Sequence, residues 1–286
     1  MSAATDAATY QPAGHELAAP VAEARAREAR RRRWVTVWRI ATAVLLIGAW
    51  YGLTSTKIAD PFFFSNPLLV LEKVGQWFGT GYIYPHIGIT LLETALSFVI
   101  GAVLGVAVGF ALARSKTLSD VMNPYIRMAY ALPRVVLAPI FALWLGLGLW
   151  SKVALGVTLV FFIVFFNTYQ GILEVDPNII NNARVLGARQ AALTRHVLLP
   201  SAVTWILSSL HTSVGFALVG AVVGEYLGSS KGLGYVIQLA EGTFDSTGVF
   251  SGMLVLAVVV IVIDVGLTAV ENRLLVWKPT SGKIVP

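Results

Sequence analysis

The 286-residue sequence contains no cysteine. Disulfides, thiolate metal sites and cysteine nucleophiles are therefore excluded. Charge is also scarce. Asp, Glu, Lys and Arg make up 13% of the chain, against about 25% in an average soluble domain. There is no GxxxxGK[ST] phosphate-binding loop and no HExxH. Each of those motifs carries a specific chemistry, and with both missing no catalytic constellation is assigned. If the chain does work, the energy comes from a partner or from an ion gradient.

What is present is apolar. Hydrophobic residues make up 56% and mean hydropathy is +0.74, which places the chain among membrane proteins. A net charge of +6 would suit nucleic acid if it were gathered on one soluble face. Instead the cations fall at the edges of apolar runs, as juxtamembrane charge does. A helix needs about 20 apolar residues to cross a bilayer. Six segments meet this, at residues 36–56, 90–113, 130–151, 153–173, 203–224 and 247–270. Pro133 and Pro139 interrupt the third, which is expected to be broken or kinked, with Arg127 and Arg134 reaching the interface.

Residues 1–33, ending in Arg30-Arg31-Arg32-Arg33, read as a disordered basic tail. The apolar run after them lacks a small-residue cleavage site, so it is expected to be a retained first helix. Residues 34–278 form the expected transmembrane domain and 279–286 a C-terminal tail. Lys and Arg bias puts both termini in the cytoplasm, together with the loops that carry Arg114 and Lys116 and that carry Arg184, Arg189 and Arg195.

The second segment repeats a small residue every four positions: Ser97, Gly101, Gly105, Gly109 and Ala113. This stripe lets a neighbouring backbone approach closely, and packing within the chain is the expected use. Polar residues inside apolar segments are functional candidates. His211 is expected to be a satisfied histidine facing the bundle, with a pathway role as the alternative. Asp264 is expected to pair with an arginine near the cytoplasmic surface. For Glu225 an outer-gate role and a capping role stand equal. Phe62, Phe63, Phe64, Tyr82 and Tyr84 suit an interfacial aromatic belt.

The stretch NNARVLGARQAALTRHVLLPSA, residues 181–202, is basic and has no acidic residue. Asp176-Pro177 before it is a helix start: Asp caps and Pro fits the first helical position. Ile179, Ala183 and Leu186 then share one face. Gly187 suits the left-handed residue that ends a helix. A second short helix over about 188–199 is expected to stop before Pro200. By pattern alone, such a pair docks on a protein partner or lies on anionic lipid.

An Ala, three residues, a Gly and a Leu-Pro further on resemble the cytoplasmic-loop signature of ABC importer permeases, here Ala183, Gly187, Leu199 and Pro200. Residues 126–153, with Pro133, Pro139, Trp144 and Gly146, are similar to the same family's third span. GEYLGSSKGLGYVI, residues 224–237, is similar to its segment after span five. The likeness covers about residues 65–275 and is nearest to the branch serving sulfonate, taurine and nitrate importers. The loop departs from the family at its first position, where Asn181-Asn182 stands in place of Glu-Ala and removes the usual acidic group.

The resemblance implies an all-α, six-helix permease of the type I importer kind in a bacterial inner membrane. Residues 176–200 would be the coupling loop, with Asn182, Ala183, Arg184, Gly187, Ala188 and Arg189 touching an ATP-binding subunit. It implies two such subunits, a second permease copy, an external substrate-binding protein and a lipid bilayer as partners. ATP and Mg would sit on the partner, with no cofactor on this chain. The cargo implied is a small anionic solute, with a vitamin-like precursor as the alternative. The competing class is a self-sufficient secondary transporter. Such proteins often carry matched broken segments in two halves, and the break near Pro133 has no evident counterpart here.

Overall fold

The computed structural model describes residues 18–274, with no β-strand among them. The chain divides into residues 1–61 and 62–286. In the first part, α1 runs over Ala18–Ser55, and its stretch Arg30–Ser55 is long and apolar enough to cross a membrane. The helix thus already occupies residues 18–33, where the sequence reading places a tail. Residues 1–17 and 275–286 lie outside the described residues, and with them the expected C-terminal tail.

The other helices are α2 (Pro61–Phe64), α3 (Pro67–Gly79), α4 (Ile83–Arg114), α5 (Lys116–Ala131), α6 (Ala138–Leu145), α7 (Leu149–Leu173), α8 (Pro177–Val185), α9 (Gln190–Leu193), α10 (Leu199–Leu227), α11 (Leu233–Gly242) and α12 (Ser246–Leu274). The packing centre is the trio α4, α7 and α10. The small-residue stripe explains it. A Cβ at Gly101 would stand 2.7 Å from the Cβ of Val160. At Gly105 it would stand 2.9 Å from the Phe161 carbonyl, and at Gly109 2.8 Å from that of Phe165. The glycines let α4 lie directly on the α7 backbone. Ala102, Val160, Val164 and Ala217 fill the seam with α10.

Among the described residues, five helices are long and apolar enough to cross a membrane, or six if a bent pair counts as one span. That pair is α5 with residues 134–145, bent by 86°. The cause is Pro133. A proline pushes the residue before it out of the helical region, and Leu132 has φ −67° and ψ 132°. The third segment is therefore broken as expected, but it covers residues 116–145 rather than 130–151. Residues 149–151 already belong to α7, which starts after the turn at Gly146-Leu147-Gly148. The second span starts at Ile83, seven residues before the expected boundary.

Pro200 corrects another expectation. The chain from Gln190 to Leu227 is one continuous helix, with a π turn at Thr194–Leu198. In an α-helix the ring of Pro200 would press on the carbonyl of residue 196. One turn widened to i→i+5 spacing takes up that conflict without breaking the helix. No separate second helix ends before Pro200.

At the other end of the bundle, Ile83, Leu233, Val236, Val255 and Val259 form a second core joining α4, α11 and α12. Lys73 on α3 bonds Asp245 at 2.5 Å, and Asp245 also accepts from the Gly248 N–H at 2.8 Å, capping α12.

Candidate coupling loop and solute path

The loop between α7 and α10 is built from local chemistry. Asp176 accepts the Asn178 N–H at 2.8 Å, with Pro177 in the first turn, so α8 is capped as its sequence dictates. At the other end Gly187 has φ +84°. Its N–H donates to Arg184 O at 2.9 Å, and Ala188 N–H donates to Ala183 O at 2.9 Å. That double closure is the Schellman ending, which needs a left-handed residue at the glycine position.

The loop is fastened to the bundle on one side. Ile172, Val175, Leu198 and Ala202 form a buried core that Phe110, Ala113 and Ile180 pack against. Ile180 and Ala183 are half-buried, whereas Ile179 and Leu186 are exposed. The anchoring strip therefore runs through Ile180, one residue away from the expected Ile179–Ala183–Leu186 strip. Outward, Val185 and Leu186 are each 87% exposed, at the tip of the loop. Asn182, Arg184, Arg189 and Arg195 are also exposed. Two fully exposed aliphatic side chains on a capped, rigid turn and ringed by cations have the character of an interface centre with a polar rim. Leu199 and Pro200 stay exposed at the start of α10, while Ala188 is half-buried.

Near this end, α4, α5, α7 and α10 enclose a cavity of about 420 Å³. Ser119, Asn123, Arg127, Asn167, Tyr169 and Trp205 are among its lining residues. Among the described residues Arg127 is the one charged group lining it, and Asn123 holds its Nε at 2.8 Å. Arg134, at the helix break, stacks instead over the rings of Tyr130 and Phe162, at 4.6 and 4.9 Å. Neither arginine was assigned to a cavity by sequence, because the fold of the broken segment decides their surroundings.

His211 on α10 faces Asp264 on α12, with Nε2 3.5 Å from Oδ1. Asp264 thus pairs with the histidine rather than with an arginine. Glu225 is buried at 1% exposure, beside Glu93 at 2% and Lys152 at 1%. The sequence reading singled out neither Glu93 nor Lys152 for a functional role. Ile83 and Ile87 ahead of Glu93 were the available signal that the helix starts earlier and carries the carboxyl inside. Glu225 accepts from Thr90 Oγ1 at 2.6 Å and from the Gly234 N–H at 2.7 Å.

The family model described as binding-protein-dependent transport system inner membrane component matches residues 101–276. The chain is 30% identical over 257 residues to the putative aliphatic sulfonates transport permease protein SsuC of Bacillus subtilis (strain 168), covering 90% of this chain and 93% of that one. It is 28% identical over 234 residues to the formylaminopyrimidine transport permease protein ThiX of Halalkalibacterium halodurans, covering 82% and 93%. Among solved structures, an inward-facing form of the MetNI methionine ABC transporter is similar in fold, with TM-score 0.58 at 19% identity, over 66% of this chain and 94% of that one.

Proposed function

Because the chain belongs to the family of binding-protein-dependent transport system inner membrane components, we propose that it couples ATP hydrolysis on separate subunits to the import of a small anionic solute. The chain is the membrane-spanning permease subunit of an ABC importer, and the secondary-transporter reading falls with that membership. Residues 176–200 are the coupling loop. One observation carries this reading: Val185 and Leu186 stand fully exposed on a turn that is capped at both ends and anchored through Ile180. A rigid knob of this kind passes a partner's motion into α7 and α10, which leave the loop on either side. Two ATP-binding subunits, a second permease copy and an external binding protein complete the machine, and ATP with Mg belongs to the ATPase subunits.

An anionic cargo such as a sulfonate, taurine or nitrate is supported by Arg127, a cation lining the 420 Å³ cavity, and by the relative named for aliphatic sulfonates. The relative named for formylaminopyrimidine supports a second reading, a vitamin-like precursor; the aromatic walls Phe165, Phe166, Tyr169 and Trp205 suit it.

The test is affinity capture of the tagged full-length chain from its native membrane, wild type and Gly187→Trp. Wild type should bring down a P-loop ATPase and the variant should not, because the left-handed backbone at φ +84° cannot accept tryptophan without distorting the turn. Equal ATPase recovery with both proteins would remove the loop from the interface.

A further inference from the structure

At the end of the bundle opposite the coupling loop, a group of buried ionisable side chains has no part in the reading above. Glu93 lies on α4, Lys152 at the start of α7 and Glu225 near the end of α10, each 2% exposed or less. They surround the turn that begins α11. Three successive backbone N–H groups of that turn are bonded to side chains: Gly232 to His86 Nδ1 at 3.1 Å, Leu233 to Thr90 Oγ1 at 2.9 Å and Gly234 to Glu225 Oε2 at 2.7 Å. Lys152 Nζ donates to the carbonyls of Leu147 and Gly148 and faces both carboxyl groups.

A donor census separates the two acids. Glu225 takes a donor on each oxygen, Thr90 Oγ1 at 2.6 Å and the Gly234 N–H. That is how an ionised carboxylate is satisfied. Glu93 turns its carboxyl toward Glu225, and its buried Oε2 meets no donor among the described residues. Two adjacent carboxylates against one ammonium would leave an uncompensated negative charge in a dry interior, which is strongly unfavourable. One proton taken from solvent removes the excess charge and turns one Glu93 oxygen from an acceptor into a donor. It gives Glu93 an O–H to donate to Glu225, and the sum of Glu93–H, Glu225 carboxylate and Lys152 ammonium is zero.

We propose that Glu93 and Glu225 form a proton-binding site in which Glu93 keeps the proton and donates it to the Glu225 carboxylate, so that a neutral cluster clamps α11 onto α4 and α10. The groups facing the pair are Thr90 from α4, Lys152 from α7 and the 232–234 turn; His86 bonds that turn at Gly232 and faces Lys231. The clamp makes the ends of α4, α7 and α10 one body, so opening on this side moves them together and does not separate α4 from α10.

The test is infrared spectroscopy of the purified full-length chain at neutral pH, joined to hydrogen–deuterium exchange over residues 228–242. A protonated-carboxyl C=O band should be present, shift in heavy water, move in Glu93→Asp and vanish in Glu93→Gln. Exchange in the turn should stay slow in Glu93→Gln, whose amide still donates to Glu225. It should rise about tenfold or more in Glu225→Gln, which gives up the charge-assisted bond to the Gly234 N–H. Glu225→Gln should also lose the band, because Glu93 then ionises against Lys152, and adding Lys152→Met should bring the band back. Absence of the band in wild type would overturn the proton assignment, as it would if water satisfies Glu93. Exchange in Glu93→Gln as fast as in Glu225→Gln, or a band that persists in Glu225→Gln, would overturn the charge balance.

Discussion

At Gly105 the neighbours of an added Cβ include backbone: the Phe161 carbonyl at 2.9 Å and the Phe165 nitrogen at 3.0 Å. Backbone cannot swing aside as a flexible side-chain end does, so Gly105→Val should push α4 off α7. Overpacking of this kind costs about 1–3 kcal/mol or more, read as a lower thermal midpoint of the detergent-solubilised protein. Gly88, also on α4, has nothing within 4 Å of its Cβ position. Gly88→Ala should leave the midpoint unchanged or raise it, by up to about 1 kcal/mol of helix propensity. Equal loss in both variants would mean that helix chemistry rather than close approach sets the effect. A second residue-scale expectation concerns Asp245. Burial raises its pKa, but the hydrogen bond from Lys73, the Gly248 N–H and the Lys73 charge outweigh that and hold it below the ordinary aspartate value. A depressed folded-state pKa gives stability that is present above the unfolded-state value and fades as pH falls through the folded one. The loss therefore belongs below about pH 4. Asp245→Asn should lower the thermal midpoint at neutral pH and flatten its fall in acid; the same acid slope in the variant would assign it to other groups.

At the scale of elements, the loop of residues 176–200 divides into parts that the sequence announces and parts it does not. The start and the end of α8 were legible because both are local. Asp176-Pro177 needs only its own backbone to cap a helix, and Gly187 needs only its missing Cβ to turn left-handed. The face that packs inward was misplaced by one residue, since Ile179 and Ile180 are both apolar and only the bundle selects between them. The π turn at 194–198 was not legible either. A proline signals conflict with the preceding turn, and whether the helix stops or widens depends on the packing of Leu198 and Ala202 in the core beneath. Asp176→Ala should cost about 1 kcal/mol of local helix stability. It should speed amide exchange in residues 177–186 while leaving α10 untouched. Faster exchange running on into residues 199–210 would show that α8 and α10 unfold as one unit.

At the scale of the whole molecule, hydropathy announced a six-segment chain because every crossing must bury its own backbone polar groups in helix. It did not show that α4, α7 and α10 form the packing centre, nor that three charges lie buried between their ends. Lipid and protein neighbours are equally apolar to a sequence window. On the proposed reading, one end of α7 and α10 is held firm while the other end presents a knob for a partner to move. Leu186 is where that division can be tested without harming the fold. At 87% exposure it contributes little to the bundle, so Leu186→Asp should insert, purify and melt as wild type does. The carboxylate would sit at the centre of the contact and lose affinity by burying an unpaired charge. Solute uptake should fall by at least tenfold, and ATPase co-purification should fall with it. Ile172→Asp, at a position 4% exposed in the core under the same loop, should instead fail at folding, seen as a lost monodisperse peak. If Leu186→Asp also lost its fold, the tip would be part of the core. If it kept both fold and uptake, ATP-driven motion would have to enter the permease through the arginines around the knob and not through its apolar tip.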